Sequence, residues 1–261
     1  MNTCKQGEVE MPVRAGAEPY HHDGGAVGAL LVHGFTGSPA ALRPWAEQLA
    51  AAGLTVRVPR LPGHGTTWQE MNLTRWQDWY GEIERAFDEL IRRCERVFVM
   101  GLSMGGALSL RIAECKGDEV AGLVLVNPSV LPVSRLVKVL PVLKFVVKSI
   151  KAISNDIKRP DADEVAYDRT PLVAAASLAD LWRVVTPELA RVNQPLLVYR
   201  SATDHVLTGR DVEALLAAVS STDVQEVVLH DSYHVATLDN DRQQIYDGSL
   251  AFVRERAGVP I

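Results

Sequence analysis

Long apolar runs are missing from this sequence. No uninterrupted stretch approaches the ~20 residues that a helix needs to cross a bilayer, and the N-terminal MNTCKQGEVE has no apolar segment of the secretory kind. The expectation is a soluble, cytoplasmic protein. Cysteine is scarce: Cys4, Cys94 and Cys115 form no CxxC pair, and three thiols cannot all be paired within one chain. That suits a reducing compartment or incidental core thiols. Positive charge is in deficit, with 27 Lys and Arg against 32 Asp and Glu and a net charge of -5. Nucleic-acid binding needs clustered cations to replace the counterions of phosphates, so that class is excluded. Internal repeats, low-complexity tracts and HExxH are absent as well.

What is present is a repeated strand-helix rhythm. Short continuous apolar runs occur at Val27–Val32, Thr55–Val58, Val97–Met100, Val120–Val126, Pro195–Tyr199 and Val224–Leu229. Runs of this length without polar alternation read as strands buried on both faces. Between them, Pro39–Ala52, Arg75–Arg93 and Met104–Lys116 carry apolar residues every three or four positions, the period of an amphipathic helix. The pattern predicts an α/β fold: a mostly parallel sheet with helices on both faces.

The alternation lapses between about Ser129 and Pro187, where no strand candidate precedes the run at Pro195. With 261 residues to place, the expectation is one core, 1–128 and 188–261, carrying an inserted helical cap over 129–187. Within it, residues 131–151 mix Arg135, Lys138, Lys144, Lys148 and Lys151 with apolar residues and hold no acidic one. Pro132 and Pro141 break any single long helix there. Such a segment could dock transiently on lipid aggregates; ordinary packing against the core is the simpler reading.

Gly101-Leu102-Ser103-Met104-Gly105 fits G-x-S-x-G, between an apolar run and a helical pattern. A nucleophile on a tight strand-to-helix turn crowds the residues two before and two after it, so both must be small. A serine hydroxyl is a weak nucleophile until a neighbouring imidazole takes its proton, and that imidazole needs a carboxylate to orient it. On this architecture the order along the chain is Ser, acid, His. Three of the seven histidines follow Ser103: His205, His230 and His234. His234 lies in a polar loop after the last strand run, where a base should emerge, whereas His230 ends that run and His205 directly follows an acid candidate.

For the acid, Asp204 falls just beyond the run Pro195–Tyr199, at the carboxyl end of a strand, where ligands collect in open α/β sheets. Asp231, Asp239 and Asp180 are the rivals. Asp231 is too near His234 in sequence to need a separate strand, and Asp239 reads as a helix-start residue. The loop His33-Gly34-Phe35-Thr36-Gly37 follows the first strong strand, and the N–H groups of Phe35 and Met104 are candidate donors to an oxyanion. His33, and His64 within Gly63-His64-Gly65, read as structural, with His64 satisfied inside a tight loop. His21-His22-Asp23 is extended, so its neighbouring side chains diverge. No metal site and no cofactor are expected.

Taken together, LLVHGFTGSP, PRLPGHGT, GLSMGG, SATDHV and SYHVATLD resemble the bacterial monoacylglycerol lipase and carboxylesterase family of the α/β-hydrolases, from about Val27 to the last helix. The resemblance extends to Lys158–Pro171 in the insert, and there it implies that Glu164 holds a glycerol head group. It implies hydrolysis of a small-molecule ester, a monoacylglycerol or a short-to-medium-chain ester, by Ser103, His234 and Asp204, without a cofactor. The insert departs from the family at 131–151, which is more basic and more proline-rich, so acyl-chain preference stays open. The same triad also serves general carboxylesterases, thioesterases and proline-releasing peptidases. Dehalogenase or epoxide hydrolase chemistry would need a carboxylate at 103, and the complete Ser, Asp, His set argues against an idle receptor. Oligomeric state is not legible.

Overall fold

The computed structural model describes residues 11–132, 143, 146–152 and 154–259. The core is a seven-stranded sheet in the order β1-β3-β2-β4-β5-β8-β9. Its strands are β1 (Tyr20–His22), β2 (Val27–Val32), β3 (Thr55–Val58), β4 (Arg96–Leu102), β5 (Val120–Val126), β8 (Leu196–Ser201) and β9 (Val224–Leu229). Only β1 is antiparallel to its neighbour.

Strand periodicity sorts the apolar residues into two cores. Leu30, Val32, Val97, Val99, Leu123, Leu125, Leu196 and Val198 enter one cluster, while Ala29, Leu31, Phe98, Met100, Val124, Val126, Leu197 and Tyr199 enter the other. Successive side chains of a strand point to opposite faces, which explains why unbroken apolar runs are required here. The first face is covered by α3 (Trp76–Ile91), α4 (Met104–Lys116), α5 (Leu172–Val185) and α6 (Arg210–Ala218). The second is covered by α1 (Arg43–Ala51) and α7 (Arg242–Ala257); a short α2 (Trp68–Met71) lies between β3 and α3.

The six expected strands are all present, but β9 is not buried on both faces as expected: it is the edge strand, and Val224–Val228 are exposed or half-buried. The polar β1 was not expected; its pairing with β3 is reinforced by Arg57, which donates to His22 O at 2.9 Å and bridges Asp23 and Glu89. Within 129–187 the expectation of helix alone is incomplete. Two three-residue strands, β6 (Ser149–Lys151) and β7 (Arg169–Pro171), pair antiparallel as a separate ribbon. Arg169 secures it by donating to Ser149 Oγ at 2.7 Å and Ser149 O at 3.1 Å. The helix α5 that follows packs its Ala174, Leu181 and Val185 into the same core as α3 and α4. Arg135, Lys138, Lys144 and Pro141 of the basic stretch lie outside the described residues.

Candidate active site

Ser103 stands between β4 and α4 with φ 56° and ψ -119°, a left-handed backbone that costs a non-glycine residue about 1–3 kcal/mol. Neighbouring chain holds it there: Ser103 N donates to Val126 O at 3.0 Å, and Ser103 O accepts from Ser129 N at 3.1 Å. The steric demand on the flanking positions is explicit. A Cβ at 101 would lie 2.4 Å from Gly105 O, and one at 105 would lie 2.0 Å from Val32 O. Neither position has room for any residue but glycine.

Asp204 follows β8, and His234 lies in the loop after β9. His234 Nδ1 and Asp204 Oδ2 are 2.7 Å apart. A carboxylate can only accept, so Nδ1 carries the proton, and in the neutral ring Nε2 keeps its lone pair. The other Asp204 oxygen accepts the N–H groups of Val206 at 2.8 Å and Leu207 at 2.7 Å. Burial pushes the Asp204 carboxyl up, but its hydrogen bond to His234, the charge of His234 and those two N–H donors outweigh it, and the group sits below the usual carboxylate range.

Ser103 and His234 line one cavity of about 380 Å³, together with Phe35, Asp156 and Glu164. The loop after β2 closes against the serine: a Cβ on Gly34 would be 3.4 Å from Ser103 Cβ. The N–H of Met104, first residue of α4, has no partner within its helix. Among the described residues the N–H of Phe35 is not spent on a hydrogen bond either. The apolar part of the cavity lining includes Ile150, Leu172, Ala175, Leu178 and Trp182. Leu172, Ala175 and Leu178 fall on one stripe of α5 at three-residue spacing.

Glu164 is buried beside this cavity. Its Oε1 accepts from Asn155 N at 3.0 Å, and Asn155 Oδ1 accepts from Glu164 N at 3.0 Å. Ser38 Oγ donates to Glu164 O at 2.9 Å, tying the segment to the loop after β2. Burial raises the Glu164 carboxyl above its ordinary range, against the pull of the Asn155 N–H and of His234.

The rival residues are occupied elsewhere. Asp231 pairs with Lys158 and Asp180 with Arg183. Asp239 is not the residue that opens α7; Asp241 immediately precedes it. The Asp239 carboxylate, fully buried, accepts main-chain N–H groups of Lys158, Arg159 and Tyr233 at 2.7–3.0 Å and so clamps the insert to the His234 loop. His230 is exposed after β9. His33 is structural: Nε2 accepts from Leu61 N at 3.2 Å, Nδ1 faces Gly34 O at 3.0 Å, and burial pushes its pKa down to about 4. His64 is buried against it at 5.0 Å, with Nδ1 on Pro62 O at 3.1 Å. Its Nε2 has no partner among the described residues, so it is less fully satisfied than the sequence suggests.

Two residues of the site escape sequence reasoning. Asn127, just past β5, donates from Nδ2 to Ser201 Oγ at 2.9 Å and to His234 O at 2.8 Å, and accepts from Ser201 N at 2.8 Å. Its place at the carboxyl end of a strand was the one available signal. Asp156, in the insert, accepts from His234 N at 3.1 Å; no motif marks it. Among the described residues no group of His, Cys, Asp and Glu is gathered as a metal site, and no helix is long and apolar enough to cross a membrane.

A parallel sheet with helices on both faces, a strained serine at a strand-to-helix turn and an imidazole-carboxylate pair beside the same cavity define an α/β-hydrolase. The family model described as serine aminopeptidase, S33, matches residues 27–241. The chain is 40% identical, over 95% of its own length and 99% of the relative's, to the thermostable monoacylglycerol lipase of Bacillus sp. (strain H-257). It is 26% identical, over 91% and 96%, to a carboxylesterase of Bacillus subtilis (strain 168). A solved structure from a study of LipS and LipT, two metagenome-derived lipolytic enzymes, superposes with a TM-score of 0.91 at 39% identity, covering 94% of this chain and all of the other. The chain belongs to this family, in its ester-hydrolysing lipase and carboxylesterase branch.

Proposed function

We propose that Ser103 attacks the carbonyl of a monoacylglycerol or a short-to-medium-chain ester, with His234 as its base and Asp204 holding His234 in the required tautomer. The observation that carries the reading is the 2.7 Å contact of His234 Nδ1 with Asp204 Oδ2 behind a cavity that Ser103 also lines. Proton transfer from Ser103 Oγ to His234 Nε2 frees the oxygen to add to the carbonyl carbon. The developing oxyanion takes the N–H groups of Phe35 and Met104, and collapse expels the alcohol, protonated by His234. Water, deprotonated by the same imidazole, then cleaves the acyl-serine and releases the acid.

The polar and apolar parts of the lining support a division of labour. Leu172, Ala175, Leu178 and Trp182 shelter an acyl chain, and Glu164, with one oxygen held by Asn155, keeps the other for a hydroxyl of the head group. On this reading 129–187 is a cap on the core formed by 1–128 and 188–261. The test has two parts. Ser103→Ala should lose about 10⁴-fold or more in kcat, as groups that act as a unit do; retained activity would overturn the nucleophile. Glu164→Ala should raise KM about tenfold or more on glycerol monoesters, the cost of roughly one charged hydrogen bond, and leave p-nitrophenyl esters nearly unchanged. Equal effects on both substrates would mean a carboxylesterase indifferent to glycerol.

A further inference from the structure

The insert places a second carboxylate against the loops that carry Asp204 and His234, and the scheme above leaves it unused. Asp156 Oδ2 accepts the main-chain N–H of His234 at 3.1 Å and of His205 at 3.3 Å. Its Oδ1 lies 2.7 Å from His205 Nδ1, and its main-chain O accepts from Val235 N at 3.1 Å. The side chain is only 10% exposed and lines the cavity. His205 directly follows Asp204, so one side chain joins the residue after the acid to the base itself.

Local backbone explains how the insert reaches both. Asn155 is left-handed, with φ 52°, and this reverses the chain between two neighbouring side chains. The Asn155 side chain turns to Glu164, and that of Asp156 turns to the two loops. The relay needs its hydrogen-bond lengths held closely, and a displacement near 1 Å costs about 10²-fold in rate.

We propose that Asp156 is a positioning residue for acyl transfer: a carboxylate carried by the insert that fixes the Asp204 loop and the His234 loop relative to each other. The proposal rests on the assignment of Ser103, Asp204 and His234 above. It makes the relay depend on the insert being seated, since Asp156 belongs to the insert and both of its partners to the core.

The test compares Asp156→Ala, Asp156→Asn, His205→Ala and Ser103→Ala. Readouts are kcat and KM on a p-nitrophenyl ester, the labelling rate of Ser103 by a fluorophosphonate, and Tm. Asp156→Ala should lower both kcat and the labelling rate about 10–100-fold, with KM changed less than threefold. Asp156→Asn keeps an oxygen for the two main-chain N–H groups and should restore both rates to within about fivefold of the parent. His205→Ala leaves those bonds in place and should keep kcat within threefold. Where Asp156→Ala cannot be purified folded, Asp156→Ser, too short to reach both loops, is read in the same way. A merely structural residue would lower Tm and yield while the folded fraction labels at the parent rate, and that result overturns the proposal. So does Asp156→Asn falling as far as Asp156→Ala. An active Ser103→Ala would instead defeat the underlying assignment, whatever Asp156 does.

Discussion

Asn127 shows how much of the site's precision resides in residues that touch no substrate. Its amide spans the end of β5, Ser201 at the end of β8 and the main chain of His234. Replacement by alanine leaves the Ser201 N–H and His234 O unpaired in a buried setting, at about 1–3 kcal/mol. We expect Asn127→Ala to lower unfolding stability by that amount in urea titration and to reduce kcat as the His234 loop loosens. The contrast with Ser103 is instructive. Ser103 was legible because Gly101 and Gly105 flank it, where the turn has no room for a side chain, whereas an Asn after a strand or an Asp in an insert has many ordinary uses. Asp204 and His234 were legible only through chain order and position, and their 2.7 Å contact depends on folding.

At the scale of elements, the buried strands β2, β4, β5 and β8 were readable because both of their faces must be apolar, and α3 because its buried Trp79, Ile83, Phe87 and Leu90 recur every three or four positions. The strands β1, β6 and β7 have three residues each, too few for any period, and they exist through their partners: Arg57 for β1 and Arg169 for the ribbon. Helix α4 carries a cost. Glu114 is buried on it, with Oε2 2.9 Å from Arg111 Nη1 and Oε1 unpartnered among the described residues, and burial lifts its pKa from 4.5 to about 7 in spite of Arg111. A carboxyl whose folded pKa exceeds its unfolded one stabilises most when protonated in both states. Its contribution is therefore greatest below pH 4.5 and declines as pH rises through 4.5 to 7. Neutral His33 and His64 act in the opposite sense in that window, because burial lowers both, so the difference between proteins is the measurement. Glu114→Gln should gain Tm relative to the parent progressively from pH 5 to about 7 and level off above it; an offset independent of pH would contradict the burial of a charge.

For the whole molecule, residues from well-separated parts of the chain line one cavity. Ser103 and His234 come from the sheet's carboxyl edge, and much of the apolar lining comes from Ile150 and α5. Each buried methylene contributes about 0.8 kcal/mol, so kcat/KM should rise about fourfold per added carbon across an ester series until the space of about 380 Å³ is filled, then level or fall. A flat series would place the acyl chain outside the cavity. Enlarging Ala175 to Phe should move the break to shorter esters without altering fluorophosphonate labelling of Ser103.

The small ribbon β6–β7 has an evolutionary consequence. Its two strands bring residues 151 and 169 side by side, so the stretch between them, including Asn155, Asp156 and Glu164, begins and ends at nearly one point. A stretch with adjacent ends can be exchanged between relatives as a cassette without disturbing the sheet beneath. Head-group choice and alignment of the relay would then be inherited together, and a chimera that swapped one without the other would recognise its alcohol yet turn it over slowly.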